Sequence, residues 1–137
     1  METMKKDTLP NSFQKRKILF DKKPLPEQLI TYGECFLEAG HLHEAAEFFL
    51  KASHKEGLNR LKGLAKEQGD SFLFEVVTRK AGSAAGDLKQ EWEEVGNTAM
   101  GLKKYSHALR AFTRAGNESA KKQAQEALEE VFTLEQT

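Results

Sequence analysis

The sequence predicts an all-α protein: three antiparallel helix-turn-helix hairpins followed by a closing helix. Three observations carry that expectation. The first is internal similarity. Residues 29–52 align with residues 92–115, pairing Leu29 with Trp92, Tyr32 with Val95, Gly33 with Gly96, Ala45 with Ala108, Phe49 with Phe112 and Ala52 with Ala115. A middle copy places Leu58, Leu61, Ala65, Phe74, Thr78 and Ala81 on the same template. The second is periodicity, because apolar residues within each copy recur at i, i+3, i+4 and i+7, the spacing of one helical face. The third is the placement of small residues. Gly33 and Gly96 fall inside the first helix of their copies, and Ala45 and Ala108 inside the second. A glycine inside a helix costs ~1 kcal/mol relative to alanine, so a close approach of the two helices is the expected compensation.

Residues 1–24 read as a basic, weakly ordered arm. They hold seven Lys and Arg against three Asp and Glu, with Pro10 and Pro24 as punctuation. Few aliphatic residues are available to offset ordering costs of ~1–2 kcal/mol per residue. A helical turn or two over residues 13–20 is the most local structure they support. Residues 25–137 form the repeat domain, with hairpins expected at about 26–52, 57–81 and 88–115 and a closing helix at 118–132. In the first hairpin Leu29, Tyr32, Gly33 and Phe36 give one helical face, and Gly40-His41 breaks it. Ala45, Phe48, Phe49 and Ala52 give the next face. The second has Leu58, Leu61, Leu64 and Ala65, a break at Gly69-Asp70-Ser71, then Phe74, Val77 and Ala81. Asp70 or Ser71 is a suitable N-cap, since its side chain can accept an orphan backbone N–H. The third has Trp92, Val95, Gly96 and Ala99, a turn near Leu102-Lys103-Lys104, then Ala108, Leu109, Phe112 and Ala115. Ala120, Ala124, Ala127, Leu128 and Val131 stripe the closing helix.

These residues resemble the tetratricopeptide-repeat family, in which a large apolar residue, Gly, Ala, Phe and Ala recur within a helical hairpin of about 34 residues. Trp92, Gly96, Ala108, Phe112 and Ala115 match best, followed by Leu29, Gly33, Phe36, Ala45, Phe49 and Ala52. The repeats are degenerate: the middle copy has Lys62 where the glycine belongs, and the usual closing proline is missing. The resemblance implies stacking into a short right-handed solenoid, with each hairpin covering an apolar face its neighbour leaves open. It also implies that first helices line a concave groove. The groove positions are then Glu27, Ile30, Glu34 and Leu37; Glu56, Asn59, Gly63 and Lys66; and Gln90, Glu93, Asn97 and Met100. The family's clamp for chaperone carboxylate tails needs bases and asparagines at several of these places, and only Asn97 fits.

Composition narrows the function. With 137 residues the chain has the length of one domain. One cysteine excludes an internal disulfide. No apolar run approaches the ~20 residues of a membrane span, and residues near the N-terminus lack the apolar stretch of a signal peptide. Those features point to a cytoplasmic protein, with the nucleus also open. The 21 basic and 21 acidic residues balance to zero, unlike the basic balance usual for a nucleic-acid binder. The zero divides into +4 over residues 1–24 and −4 over residues 25–137.

Candidate chemistry is sparse. A catalytic Cys35 needs a nearby base or helix N-terminus to lower its pKa, and none is local. His41 and His43 beside Glu44 fall short of the three or four ligands of a zinc site. The glycine- and serine-rich run 82–87 lacks the strand before it and the Lys-Ser/Thr after it that a phosphate loop requires. Glu93-Glu94 reads as a solvated helix face. We therefore expect no enzyme, no cofactor and no metal, but a protein-protein interaction module that binds a peptide or helix segment in a mildly acidic groove. The basic arm, with Lys15, Arg16 and Lys17 between Phe13 and Phe20, is one such segment and is expected to fold back onto the acidic body. Two alternatives stay open: a nucleic-acid-associated adaptor using Lys15-Arg16-Lys17, and a segment of a larger trafficking-type α-solenoid.

Overall fold

A computed structural model describes residues 9–20, 25–79 and 88–135. Every regular element among them is helical: α1 (Ser12–Phe20), α2 (Pro26–Glu38), α3 (Leu42–Ala52), α4 (Lys55–Gln68), α5 (Ser71–Arg79), α6 (Lys89–Gly101), α7 (Tyr105–Ala115) and α8 (Glu118–Glu135). The chain divides into two compact units, residues 1–61 and 62–137.

In the first unit, α1 lies within the basic segment. Its start is fixed by a reciprocal cap: the Gln14 N–H donates to Asn11 Oδ1 at 2.8 Å, and the Asn11 N–H donates to Gln14 Oε1 at 3.1 Å. This is a capping box built from Asn and Gln, and it satisfies two backbone donors at once. A nine-residue helix is marginal alone. α1 packs on α3, where Lys15 Nζ lies 3.4 Å from Glu47.

α2 and α3 form a hairpin. Pro26 takes the first turn of α2, where its missing N–H costs nothing and its fixed φ suits the helix. Leu29, Gly33, Cys35 and Phe36 of α2 are buried, as are Ala45, Ala46, Phe48 and Phe49 of α3. The rings of Phe36 and Phe48 stack with centroids 5.3 Å apart, and Tyr32 tilts against Phe48 at 5.7 Å. Phe49 sits between two glycines. A Cβ on Gly33 would lie 2.5 Å from its Cε1, and one on Gly57 of α4 would lie 2.7 Å from its Cδ2. The helices approach this closely because neither carries a side chain at the contact.

The second unit repeats that device. α6 and α7 form a hairpin in which a Cβ on Gly96 would meet Phe112 Cε1 at 2.5 Å. Ala99, Ala108, Phe112 and Ala124 make its core, with Met100, Leu109 and Ala120 packed around them. Phe74 of α5 meets Trp92 edge-to-face at 4.6 Å. Two side chains cap helix starts. Asp70 Oδ1 accepts the Leu73 N–H at α5, and Asn117 Oδ1 accepts the Ala120 N–H at α8.

One terminating motif ends five helices. The backbone N–H of His41, His54, Asp70, Lys104 and Asn117 each donates to the carbonyl five residues earlier, at 2.8–3.0 Å. The residue before each donor is left-handed: Gly40, Ser53, Gly69, Lys103 and Gly116. This is the Schellman arrangement, which satisfies the last carbonyls of the helix. Glycine supplies the conformation freely in three cases. Ser53 and Lys103 adopt it at a cost of ~1–2 kcal/mol each.

Helix limits differ modestly from the expected ones. α8 extends to residue 135 rather than 132, and α4 starts at residue 55 rather than 57. Ala81 and the run 82–87 lie outside the described residues, as do residues 1–8 and 21–24.

Candidate functional site

The expected groove residues fall on three helices, α2, α4 and α6, and the two units carry them separately. On α2, Glu27 and Glu34 are exposed, while Ile30 and Leu37 are half-buried. Their spacing of i, i+3, i+7 and i+10 makes one stripe of alternating acid and aliphatic side chains. Glu56 and Asn59 are exposed on α4.

In the second unit, Asn97 is exposed on α6 and Glu93 is half-buried beside it. Met100 is partly committed to the α6–α7–α8 core. Lys66 is tied into an ion cluster: its Nζ lies 3.1 Å from Glu91 and 3.2 Å from Glu94, and Lys62 lies 2.9 Å from Glu91. Desolvation pushes the Glu91 carboxyl up, but the hydrogen bonds and charges of Lys62 and Lys66 outweigh it and hold the group below its ordinary value. Desolvation likewise pushes the Lys66 ammonium down, and Glu91 with Glu94 hold it above its ordinary value.

These shifts have a definite sign. A carboxylate depressed in the folded state adds stability above its unfolded pKa, near 4.5, and loses it as pH falls further through the folded value. A raised lysine adds stability below about pH 10.5 and loses it above. Glu91→Gln is therefore expected to lower stability at neutral pH by about 1 kcal/mol, the scale of a partly exposed ion cluster. Unfolding midpoints of the two proteins should converge as pH is lowered below about 4.5. A difference unchanged from pH 7 to about pH 3 would show that the cluster contributes nothing through charge.

The basic arm does not meet the α2 acids in the described residues. Lys15 pairs with Glu47 on α3, not with Glu34 on α2, and the Phe13 ring is 78% exposed. The described part of the arm, α1, thus contacts the second helix of the hairpin, α3, with Lys15 beside Glu47 and Phe13 exposed. The Phe20 side chain lies outside the described residues. At the start of α1, Leu9, Pro10, Asn11, Ser12 and Lys15 line a cleft of about 400 Å³ with Phe36, His41 and Glu44.

The polar candidates hold structural positions. Cys35 is buried beside Phe36. His41 packs edge-on against Phe36, and His54 lies 5.3 Å from Phe49. No group of three or more metal-ligating side chains occurs among the described residues, and none of their helices is long and apolar enough to cross a membrane.

Sequence reasoning did not single out the outer face of α5 and α7. The Ser71 N–H donates to His107 Nδ1 at 3.1 Å, so a histidine of α7 accepts the first amide of α5. Three residues further on, Arg110 lies 4.4 Å over the ring of Phe72 and pairs with Glu75, as does Arg114. The signal was present as His107, Arg110 and Arg114 at i, i+3 and i+7. It was hidden because attention to repeat positions favours the first helix of each hairpin.

No known family model matches the chain, and no curated protein or solved structure is significantly similar to it.

Proposed function

We propose that the chain is a non-catalytic, tetratricopeptide-repeat-like interaction module that binds a basic, amphipathic peptide or helix segment along the first helices of its hairpins. The observation behind this reading is the duplicated hairpin contact. Gly33 against Phe49 and Gly96 against Phe112 give the same 2.5 Å approach at equivalent positions of two hairpins. A repeated unit of this kind is suited to stacking into a solenoid, whose extended surface is the usual binding element of such arrays. The α2 stripe supports the choice of ligand. Exposed Glu27 and Glu34 would meet basic residues, and half-buried Ile30 and Leu37 offer apolar contact between them.

Selection from a library of displayed basic amphipathic peptides tests the reading. Enriched sequences should bind the wild-type chain and bind a Glu27→Lys/Glu34→Lys variant about tenfold more weakly, since like charges now face each other. Both substitutions are at exposed sites and should leave the unfolding midpoint nearly unchanged. Failure to enrich such peptides, or enrichment that ignores the charge reversal, would sink the proposal.

A further inference from the structure

The second unit carries two surfaces of opposite character, and neither covers the other. The first is on α5 and α7. Phe72, Glu75 and Arg79 follow each other at i, i+3 and i+7 on α5, and Arg110 and Arg114 face them from α7. Three guanidinium groups surround one carboxylate: Arg79 approaches Glu75 at 3.7 Å, and Arg110 and Arg114 pair with it more closely. The cluster keeps a formal surplus of two positive charges. It is not saturated, since Arg110 Nε is buried without an acceptor and the Arg79 and Arg114 side chains are 74% and 50% exposed. The Phe72 ring beside it is 50% exposed, with Arg110 above it.

The second surface is the later part of α8. The residues of α8 that join the core, Ala120 and Ala124, lie in its first half. Beyond them Glu126, Glu129, Glu130 and Phe132 are exposed, Phe132 to 57%. Glu129 and Phe132 are three residues apart and so adjacent on the helix.

We infer that this arginine–phenylalanine patch docks the later part of α8 from a second copy of the chain. The two surfaces are complementary in both respects that matter. A surplus of positive charge meets three carboxylates, and a half-exposed phenylalanine on each side supplies the apolar contact. Guanidinium groups suit this role because their fork geometry pairs with carboxylates bidentately and their planes stack on aromatic rings. The contact joins different surfaces on the two copies. It therefore closes only if a rotation brings both pairs together, and otherwise continues as a chain of subunits.

Sedimentation velocity on the full chain tests this. The wild-type chain should show a rising weight-average sedimentation coefficient with concentration at low salt. The association should weaken about tenfold between roughly 0.05 and 0.5 M salt, because exposed charge pairs are screened. Arg79→Glu/Arg114→Glu leaves Arg110 as partner for Glu75 and should be monomeric. Glu126→Lys/Glu129→Lys/Glu130→Lys should be monomeric too. An equimolar mixture of the two variants should associate again, since each reversed surface finds its complement. Phe132→Ser should also weaken the wild-type association, and circular dichroism melts will show that each variant is folded. A wild-type chain that stays monomeric, even one whose patch binds an acidic peptide of other origin, overturns the inference. So does association that both reversals leave intact, or a mixture of folded variants that does not associate.

Discussion

Replacing Gly69 with alanine is expected to lower stability by about 3 kcal/mol, more than at any other glycine among the described residues. Two separate costs combine there. Gly69 is left-handed, with φ of 62°, where an L-residue pays ~1–2 kcal/mol. Its missing Cβ would also lie 2.7 Å from Ala99 Cα and 2.8 Å from Ala99 N. Those are backbone atoms in the last turn of α6, and Ala99 is fully buried in the core. A rotamer change cannot relieve the clash, so the α4–α5 turn or α6 must move, at an overpacking cost of ~1–3 kcal/mol. Gly40 separates the two costs. It too is left-handed, with φ of 83°, but no atom lies within 4 Å of its missing Cβ. Gly40→Ala should therefore lose only the conformational part, ~1–2 kcal/mol. Urea unfolding of both variants measures the difference directly. Equal losses would mean that the contact with Ala99 is easily relaxed, and the account of Gly69 would be wrong.

The two glycines illustrate what the sequence discloses. Both stand where periodic apolar runs break, so the turns at residues 40 and 69 are legible from pattern alone. The contact that distinguishes them is not, because Ala99 is far along the chain and leaves no local mark. The same holds for charge. Lys62, Lys66, Glu91 and Glu94 lie on two helices about 25 residues apart, and an ion cluster imposes no repeat that a single sequence could show. His107 invites reading as a solvated histidine until α5 is seen to place the Ser71 amide against it. The α1 helix is a different case. Asn11 and Gln14 have the spacing of a capping box, a local signal that proline and charge in the same segment outweighed. The α2 stripe was accessible from helical register, whereas the Arg110 patch depends on two helices meeting and could be found only in three dimensions.

Truncating Phe49 to alanine should cost about 3–5 kcal/mol, because a fully buried phenylalanine leaves a cavity its surroundings cannot readily fill. The surroundings are unusual here. Gly33 faces one part of the ring and Gly57 another, so neither neighbouring helix has a side chain to move into the hole. The same geometry makes the effect of Gly33→Ala depend on background. With Phe49 present, the new methyl meets a fixed ring, and an overpacking cost of ~1–3 kcal/mol exceeds the ~1 kcal/mol gained in helix propensity. With alanine at position 49 the obstacle is gone. The methyl then enters the cavity, and Gly33→Ala should become neutral or stabilising by up to ~1 kcal/mol. The double-mutant cycle should show a coupling of about 2 kcal/mol, well outside the additivity expected of independent sites. Gly96 and Phe112 should give a coupling of the same sign, since their approach is also 2.5 Å. Additive behaviour at both pairs would mean that the glycines do not exist to admit the rings. The duplicated contact would then be a coincidence of helix packing, and the argument that the two hairpins are copies of one structural unit would lose its physical basis.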